Sequence, residues 1–140
     1  MARSDAYLDH LARVPMFSAC GADELRAVAR RSTDVTFAAG EVLVREGEPG
    51  YEAFVIVDGA VRVERGGEEI AVLGPGDFFG ELALLDRSPR TATVTTIAPT
   101  EAVVLTLQEF DALLEEAPSI TRKLLQGLAR RLAEVDRRAP

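Results

Sequence analysis

The first part of the chain carries a helical pattern of apolar positions. Tyr7, Leu8 and Leu11 recur at the spacing of one helix face, which predicts a short helix that ends before Pro15. Residues 22–31 repeat the pattern, with acidic side chains in the first turn and arginines in the last. Because this order of charges complements the helix dipole, a second helix is predicted there.

Between Val35 and Thr106 the pattern changes to short apolar segments separated by glycine-bearing turns. The segments read EVLVRE, AFVIV, VRVER, EIAVL, ATVTTI and EAVVLT. Several alternate apolar and polar residues, which is the period of a half-buried strand, and Gly66-Gly67 suits a two-residue hairpin turn. Many short strands at ~8–12-residue spacing predict an antiparallel sandwich or barrel.

The last part of the chain returns to helical spacing. Residues 107–116 predict an amphipathic helix that stops before Pro118. A stripe along the following helix consists of Ile120, Leu124, Leu128, Leu132 and Val135. We expect this stripe to pack in the core. Gly127 in the same helix costs some stability and marks either a close contact or a bend.

Composition indicates one globular domain. The 140 residues are 47% hydrophobic and 28% charged, which is ordinary for a globular protein. No apolar run approaches the ~20 residues of a membrane helix, and the N-terminus lacks the apolar region of a secretion signal. We therefore expect a cytoplasmic protein that does not contact the membrane.

Charge and residue counts exclude several classes of function. Cys20 is the only cysteine and His10 the only histidine, so disulfides, metal clusters and histidine-based triads are disfavoured. We expect both residues to have structural or surface roles. The net charge of −7 argues against a dedicated nucleic-acid binder, which normally presents a basic face.

The segment GDFFGELALLDRSPRTATV, residues 76–94, carries the candidate chemistry. GELALL favours a helical turn starting at Gly80, whose first amides, around Leu82 and Ala83, would bind an anion. Arg90 follows a proline-containing loop and would add a guanidinium, which suits a phosphate. Glu81 would repel a phosphate, but it would accept hydrogen bonds from ligand hydroxyls such as those of a ribose.

This segment resembles the phosphate-binding cassette of cyclic nucleotide-binding domains. The family pattern F-G-E-[LI]-A-L followed by R-[ST]-A-x-[VIL] appears here as FGELAL over 79–84 and RTATV over 90–94. The resemblance extends over nearly the whole chain, through LARVPMF, ADEL, GEVLVREGEPG, VDGAVRV and the closing helices. It implies a mainly β fold with flanking helices: an antiparallel β-roll, or jelly-roll, bracketed by N- and C-terminal helices.

The resemblance also implies roles for individual residues. Gly80, after Phe79, allows the sugar-phosphate to approach, and Glu81 accepts from the ribose 2′-hydroxyl. The amides of Leu82 and Ala83 hold the cyclic phosphate together with Arg90. The remaining implied site residues are Thr91 near phosphate and base, Ala92 of the cassette, Val63 and Ala71 as walls around the base, and Leu128 and Leu132 on a lid helix. Arg87 is taken as solvated.

These implications give one domain over 1–140 in three parts. Residues 1–34 form N-terminal helices, 35–106 the β-roll with its cassette at 79–94, and 107–138 the hinge and lid helices. The expected function is a sensor that binds cAMP, or cGMP as the second choice, and moves its last helix. We expect no catalytic activity and no cofactor. We expect the last helix to pass the signal on by binding a partner protein or a second copy of the chain in a homodimer.

Three other functions are considered. A cupin-like metal enzyme would need a histidine cluster, and the sequence has one histidine. A β-roll interaction module without a nucleotide ligand remains the main alternative. A transcription regulator is disfavoured because the sequence ends at Pro140, after the lid helix, and leaves no residues for a recognition helix unless it is an excised fragment.

Overall fold

The computed structural model describes residues 5–80 and 88–138. In these ranges the helices are α1 (Asp5–Ala12), α2 (Ala22–Arg31), α3 (Leu107–Glu116) and α4 (Pro118–Arg138), with a 3-10 helix at Pro15–Phe17. The strands are β1 (Thr33–Phe37), β2 (Val42–Val44), β3 (Glu52–Asp58), β4 (Val61–Arg65), β5 (Glu68–Leu73), β6 (Phe78–Phe79), β7 (Thr93–Thr96) and β8 (Thr100–Thr106). Helices therefore bracket the strands, as predicted.

The strands form two antiparallel sheets. One has the order β1-β8-β3-β6 and the other β2-β7-β4-β5. The turn between β4 and β5 is at Gly66 and Gly67, with φ of 60° and 80°. Both angles lie in the left-handed region that a two-residue hairpin turn requires and glycine adopts at low cost. The predicted β-roll and its hairpin are confirmed.

Alternate residues of the first sheet face two different cores. The roll core, between the sheets, consists of Val44, Phe54, Ile56, Val61, Phe79, Val94, Ala102 and Val104. The helix-side core joins Ala53, Val55, Val57, Phe78, Val103 and Leu105 of the sheet to helical residues such as Leu11, Phe17, Val28, Phe110, Leu113, Ile120 and Leu124. Strand β3 is buried on both faces, which explains its unbroken apolar sequence.

Polar contacts tie α2 to the junction between α3 and α4. Glu116 accepts from Arg30 Nη2 at 3.0 Å and from Arg31 Nε at 3.0 Å. The hydrogen bond from Arg31 lowers the pKa of Glu116. Glu24 accepts from the Ser119 amide at 3.0 Å and from its hydroxyl at 2.8 Å, and the amide hydrogen bond is the main cause of its lowered pKa. The start of α4 is therefore anchored on the N-terminal helices.

The single histidine and the single cysteine of the sequence lie on the helical side of the fold. His10 Nε2 lies 3.3 Å from Glu101 Oε1 and so links α1 to β8. Cys20 is half-buried against the helix-side core. Burial, with a smaller effect of Glu24, raises the pKa of its thiol to about 11. The thiol is thus protonated near neutral pH, in agreement with a packing role.

Strand β1 differs from the expected boundary at residue 35, and strand β6 is absent from the predicted strand segments. Strand β1 starts at Thr33, before residue 35, because it pairs along β8 from Thr33–Val104 to Phe37–Thr100. Strand β6 has two residues that pair with Phe54 and Val55 of β3. Neither feature produces the repeated alternation by which strands are recognised in a sequence.

The apolar stripe of the last helix leaves the core before its end. Ile120 and Leu124 are buried and Leu128 packs at the edge of the helix-side core, whereas Leu132 is 62% exposed. The expectation that the stripe packs in the core is therefore wrong at Leu132. The described helix-side core includes α4 only as far as Leu128, and a 21-residue helix is about 31 Å long. Within the described ranges, no helix has the length and apolarity needed to cross a membrane.

Candidate functional site

Gly80 stands where strand β6 ends and the cassette begins. Its φ is +86°, in the left-handed region that disfavours a side chain. A Cβ atom added there would lie 2.7 Å from Arg90 Nη1 and 2.8 Å from the Glu52 carbonyl oxygen. Both backbone conformation and close approach therefore require glycine.

Arg90 closes over Gly80 from the other end of the cassette. Its Nη1 donates to the Gly80 carbonyl at 3.2 Å and its Nη2 to the Glu52 carbonyl at 2.9 Å. Its own backbone is paired as well, since its amide donates to Glu48 O and its carbonyl accepts from Gly47 N, both at 2.8 Å. The guanidinium is thus held beside Gly80, ten residues earlier in the chain.

Apolar residues of the predicted site lie along the roll. Phe79 belongs to the roll core and stacks on Phe54, with ring centroids 4.7 Å apart and planes at 7°. Val63 packs at the edge of the same core and pairs with Ala71 across β4 and β5. Ala92 is buried. Phe79 and Ala92 are therefore buried, whereas Val63 and Ala71 are half-buried at the edge of the roll.

Thr91 is exposed, next to Arg90 and Ala92. Its carbonyl accepts from Arg65 Nε at 2.9 Å, which ties the end of β4 to the end of the cassette. The hydrogen bond from Arg65 therefore holds the backbone at Thr91 in place. The Thr91 side chain lies at the surface, where a ligand could reach it.

The middle of the cassette falls outside the described residues. This applies to Glu81, Leu82, Ala83 and Arg87, and to the helical turn predicted to start at Gly80. On the lid helix, Leu128 is half-buried and Leu132 exposed. The structure brings Phe79, Gly80, Arg90 and Ala92 to one region, and the ligand-binding roles of all twelve residues stay predictions.

Several contacts of this region were missed by the sequence analysis. They are made by the carbonyl of Glu52 and the backbone of Gly47 and Glu48. Any residue can supply a backbone amide or carbonyl, so residue types do not predict these contacts. Only the glycine-bearing turn over 46–50 indicated a loop at this place. The side-chain contact of Arg65 with the cassette was also missed, because β4 showed only strand alternation.

A cavity of about 700 Å³ opens next to the cassette. It lies between residues 47 and 49–52, Ser88-Pro89 and the start of α3 at Thr106–Gln108. This volume suits a small ligand, but none of the predicted site residues that the structure describes lines it. Over the described ranges, no group of three or more His, Cys, Asp or Glu side chains could hold a metal ion.

The roll, the glycine at the end of β6 and the arginine that closes over it define a class of protein. The sequence model of the cyclic nucleotide-binding domain matches residues 34–117, more than half of the chain. The chain belongs to the cyclic nucleotide-binding domain family, as the cassette pattern indicated.

Particular relatives come from bacteria and from a protozoan. The chain is 35% identical over 127 residues to a CRP-like cAMP-activated global transcriptional regulator of Mycobacterium tuberculosis, covering 87% of this chain and 57% of the relative. It is similar to the crystal structure of the Thermus thermophilus catabolite activator protein, with 31% identity, a TM-score of 0.77 and coverage of 87% and 60%. It is also similar to the regulatory domain of Toxoplasma gondii PKA, crystallised with cAMP, with 30% identity, a TM-score of 0.69 and coverage of 79% and 46%. The chain thus spans about three fifths of the first two relatives and under half of the third.

Proposed function

We propose that this domain binds a cyclic nucleotide monophosphate and acts as a sensor. The observation that carries the proposal is the arrangement of Arg90 over Gly80 in the register of the family cassette. Among the described residues, its guanidinium donates to two neutral carbonyls, at 3.2 and 2.9 Å. A phosphate is a stronger partner, since hydrogen bonds between charged groups are about twice as strong as neutral ones.

In the proposed complex, Arg90 turns from the carbonyls to the cyclic phosphate. Gly80 leaves room for the ligand because it has no side chain. Glu81 accepts from the ribose hydroxyl, and the amides of Leu82 and Ala83 complete the phosphate site. Each charged or polar group of the site is assigned to holding the ligand, so no catalytic step is proposed.

The base lies against apolar surface in this proposal. Val63 and Ala71 form its walls, and Thr91 lies close enough to bond phosphate or base. We favour cAMP, since one relative is named as cAMP-activated and another was crystallised with cAMP. A threonine hydroxyl also accommodates a guanine, and cGMP is therefore the second ligand to test.

The output is proposed to pass through α4. Ligand binding would draw this helix over the base, with Leu128 and Leu132 as candidate capping residues. Leu125 and Leu132 are 61% and 62% exposed and stand seven residues apart, which is the spacing of a helix-pairing seam. A partner protein or a second copy of the chain would bind there. The net charge of −7 supports a domain that does not itself contact nucleic acid, and a cytoplasmic location stays a prediction.

Calorimetric titration with cAMP and with cGMP tests the proposal. Arg90→Ala should weaken binding at least tenfold, because a hydrogen bond to a charged group contributes about 1.5–3 kcal/mol. Arg26→Ala is the control, since Arg26 pairs with Asp23 on α2 and should leave affinity unchanged. Equal dissociation constants for Arg90→Ala and the parent protein would remove Arg90 from the site.

A thermal-shift measurement separates the proposal from its main alternative, an interaction module without a ligand. Ligand at 100 to 1,000 times its dissociation constant adds about 3–4 kcal/mol of stability. If neither nucleotide at millimolar concentration stabilises the protein, the interaction module is favoured.

A further inference from the structure

Strand β6 touches both cores of the protein through two adjacent residues. Phe79 lies in the roll core, stacked on Phe54. Phe78 points to the other face of the sheet and belongs to the helix-side core. Since Gly80 follows directly, β6 links the start of the cassette to both cores.

Helix α4 packs directly against the ring of Phe78. A Cβ atom on Gly127 would lie 2.6 Å from Cε1 and 2.8 Å from Cζ of that ring, so the helix approaches as closely as glycine permits. The sequence-based expectation that Gly127 marks either a close contact or a bend is met by the contact. Leu124, one turn earlier, is buried in the same core.

Arg131, one turn after Gly127, holds the same residue in two ways. Its guanidinium carbon lies 4.3 Å from the centroid of the Phe78 ring, within the range of a cation–π interaction. Its Nη2 also donates to the Phe78 carbonyl. Arg131 thus joins the second half of α4, which leaves the core after Leu128, to the strand that precedes the cassette.

The side chains around the Phe78 ring do not pack completely against it. An apolar void of about 20 Å³ is lined by Phe78 together with Phe110, Leu113 and Leu124, among others. Its apolar lining offers no hydrogen-bond partners that would keep a water there. Incomplete packing on this side means that a small displacement of the ring costs less than it would in a filled core.

We propose that Arg131 is a positioning residue that holds α4 on Phe78 in the arrangement in which Arg90 donates to the Gly80 and Glu52 carbonyls, and that it thereby opposes nucleotide binding. This inference rests on the proposed function. When Arg90 turns to a phosphate, its hydrogen bond to the Gly80 carbonyl is lost, and the backbone two residues after Phe78 is released. A contact that favours this arrangement of Arg90 lowers the affinity for a ligand that draws Arg90 away, and by linkage the ligand weakens that contact.

The first experiment needs no nucleotide. Hydrogen exchange of the α4 amides is compared in the parent protein, Arg131→Gln, Arg131→Lys and the control Arg130→Gln, whose residue is exposed on the same helix. Arg131→Gln should speed exchange over residues 124–133 about threefold to tenfold, the effect of losing a cation–π contact and a charged hydrogen bond. Arg131→Lys keeps the charge and should recover part of the protection. Equal exchange in Arg131→Gln and Arg130→Gln would overturn the proposal.

The second experiment measures the dissociation constant for cAMP by calorimetry. Arg131→Gln should bind about threefold to tenfold more tightly than the parent protein, and Arg130→Gln should bind equally. In a Phe78→Leu background, which removes the ring but keeps the backbone carbonyl that accepts from Arg131, Arg131→Gln should have a smaller effect. Unchanged or weaker affinity in Arg131→Gln, or the same effect in both backgrounds, would overturn the coupling through Phe78. If the parent protein binds neither nucleotide, the proposed function fails, and the exchange experiment still tests whether Arg131 holds the helix.

Discussion

Substitution of Gly80 by alanine separates the two reasons for a glycine at the start of the cassette. A residue with a side chain at φ near +86° is strained by about 1–2 kcal/mol. The added Cβ would also lie 2.7 Å from Arg90 Nη1 and 2.8 Å from Glu52 O. Nη1 donates to the Gly80 carbonyl, and Glu52 O accepts from Nη2 of the same guanidinium. The guanidinium must therefore shift, which weakens at least one of these two hydrogen bonds.

Gly40 provides a matched control. It has the same φ of +86°, but a Cβ added there meets nothing within 4 Å. Gly40→Ala should therefore cost only the conformational strain of about 1–2 kcal/mol. Gly80→Ala should cost about 1–2 kcal/mol more, the value of a displaced hydrogen bond from a charged group in a partly exposed site.

The assay is urea denaturation followed by far-ultraviolet circular dichroism, together with calorimetric titration of cAMP. Gly80→Ala should be less stable than Gly40→Ala and should bind at least tenfold more weakly, while Gly40→Ala keeps the parent affinity. If both variants lose the same stability to within about 0.5 kcal/mol, the close approach of Arg90 and Glu52 to Gly80 has no energetic consequence and the reasoning is refuted.

Two further predictions concern the helical side of the fold. Glu24→Gln should cost about 0.5–1 kcal/mol at pH 7, since the site is partly exposed. The folded-state pKa of Glu24 lies below its ordinary 4.5, so the stability that Glu24 contributes is present above that pH and is lost as the pH falls through the folded-state pKa. Urea denaturation should therefore show a smaller difference in stability between Glu24→Gln and the parent protein at pH 3 than at pH 7. Glu115 is exposed, and Glu115→Gln should have the stability of the parent protein at both pH values. Cys20, with its pKa raised to about 11 from 9.0, should react with iodoacetamide at pH 8 about 100-fold more slowly than in the urea-unfolded chain, because only the thiolate reacts. Equal rates in the two states would show that burial does not protect the thiol.

Elements with a strong local signal were predictable to the residue. The helices over 22–31 and 107–116 match α2 and α3, because charge order and the capping residue Thr106, which accepts from Glu109 N, act within one turn of chain. Strand β6 was missed, since two residues form a strand only when β3 supplies the partner. The exposure of Leu132 was missed because the extent of a core depends on distant elements.

The sequence by itself determined the class of this protein and the candidate residues of its site. A glycine, an acid and an arginine at family spacing, with helical and strand periods on either side, are local properties that a chain displays before it folds. Only the tertiary structure decided that Arg90 reaches the carbonyls of Gly80 and Glu52, and that Phe78 receives Gly127 and Arg131 from a helix some fifty residues later. These contacts join backbone atoms and ring faces across elements distant in sequence, and their geometry follows from how the two sheets and the last helix pack.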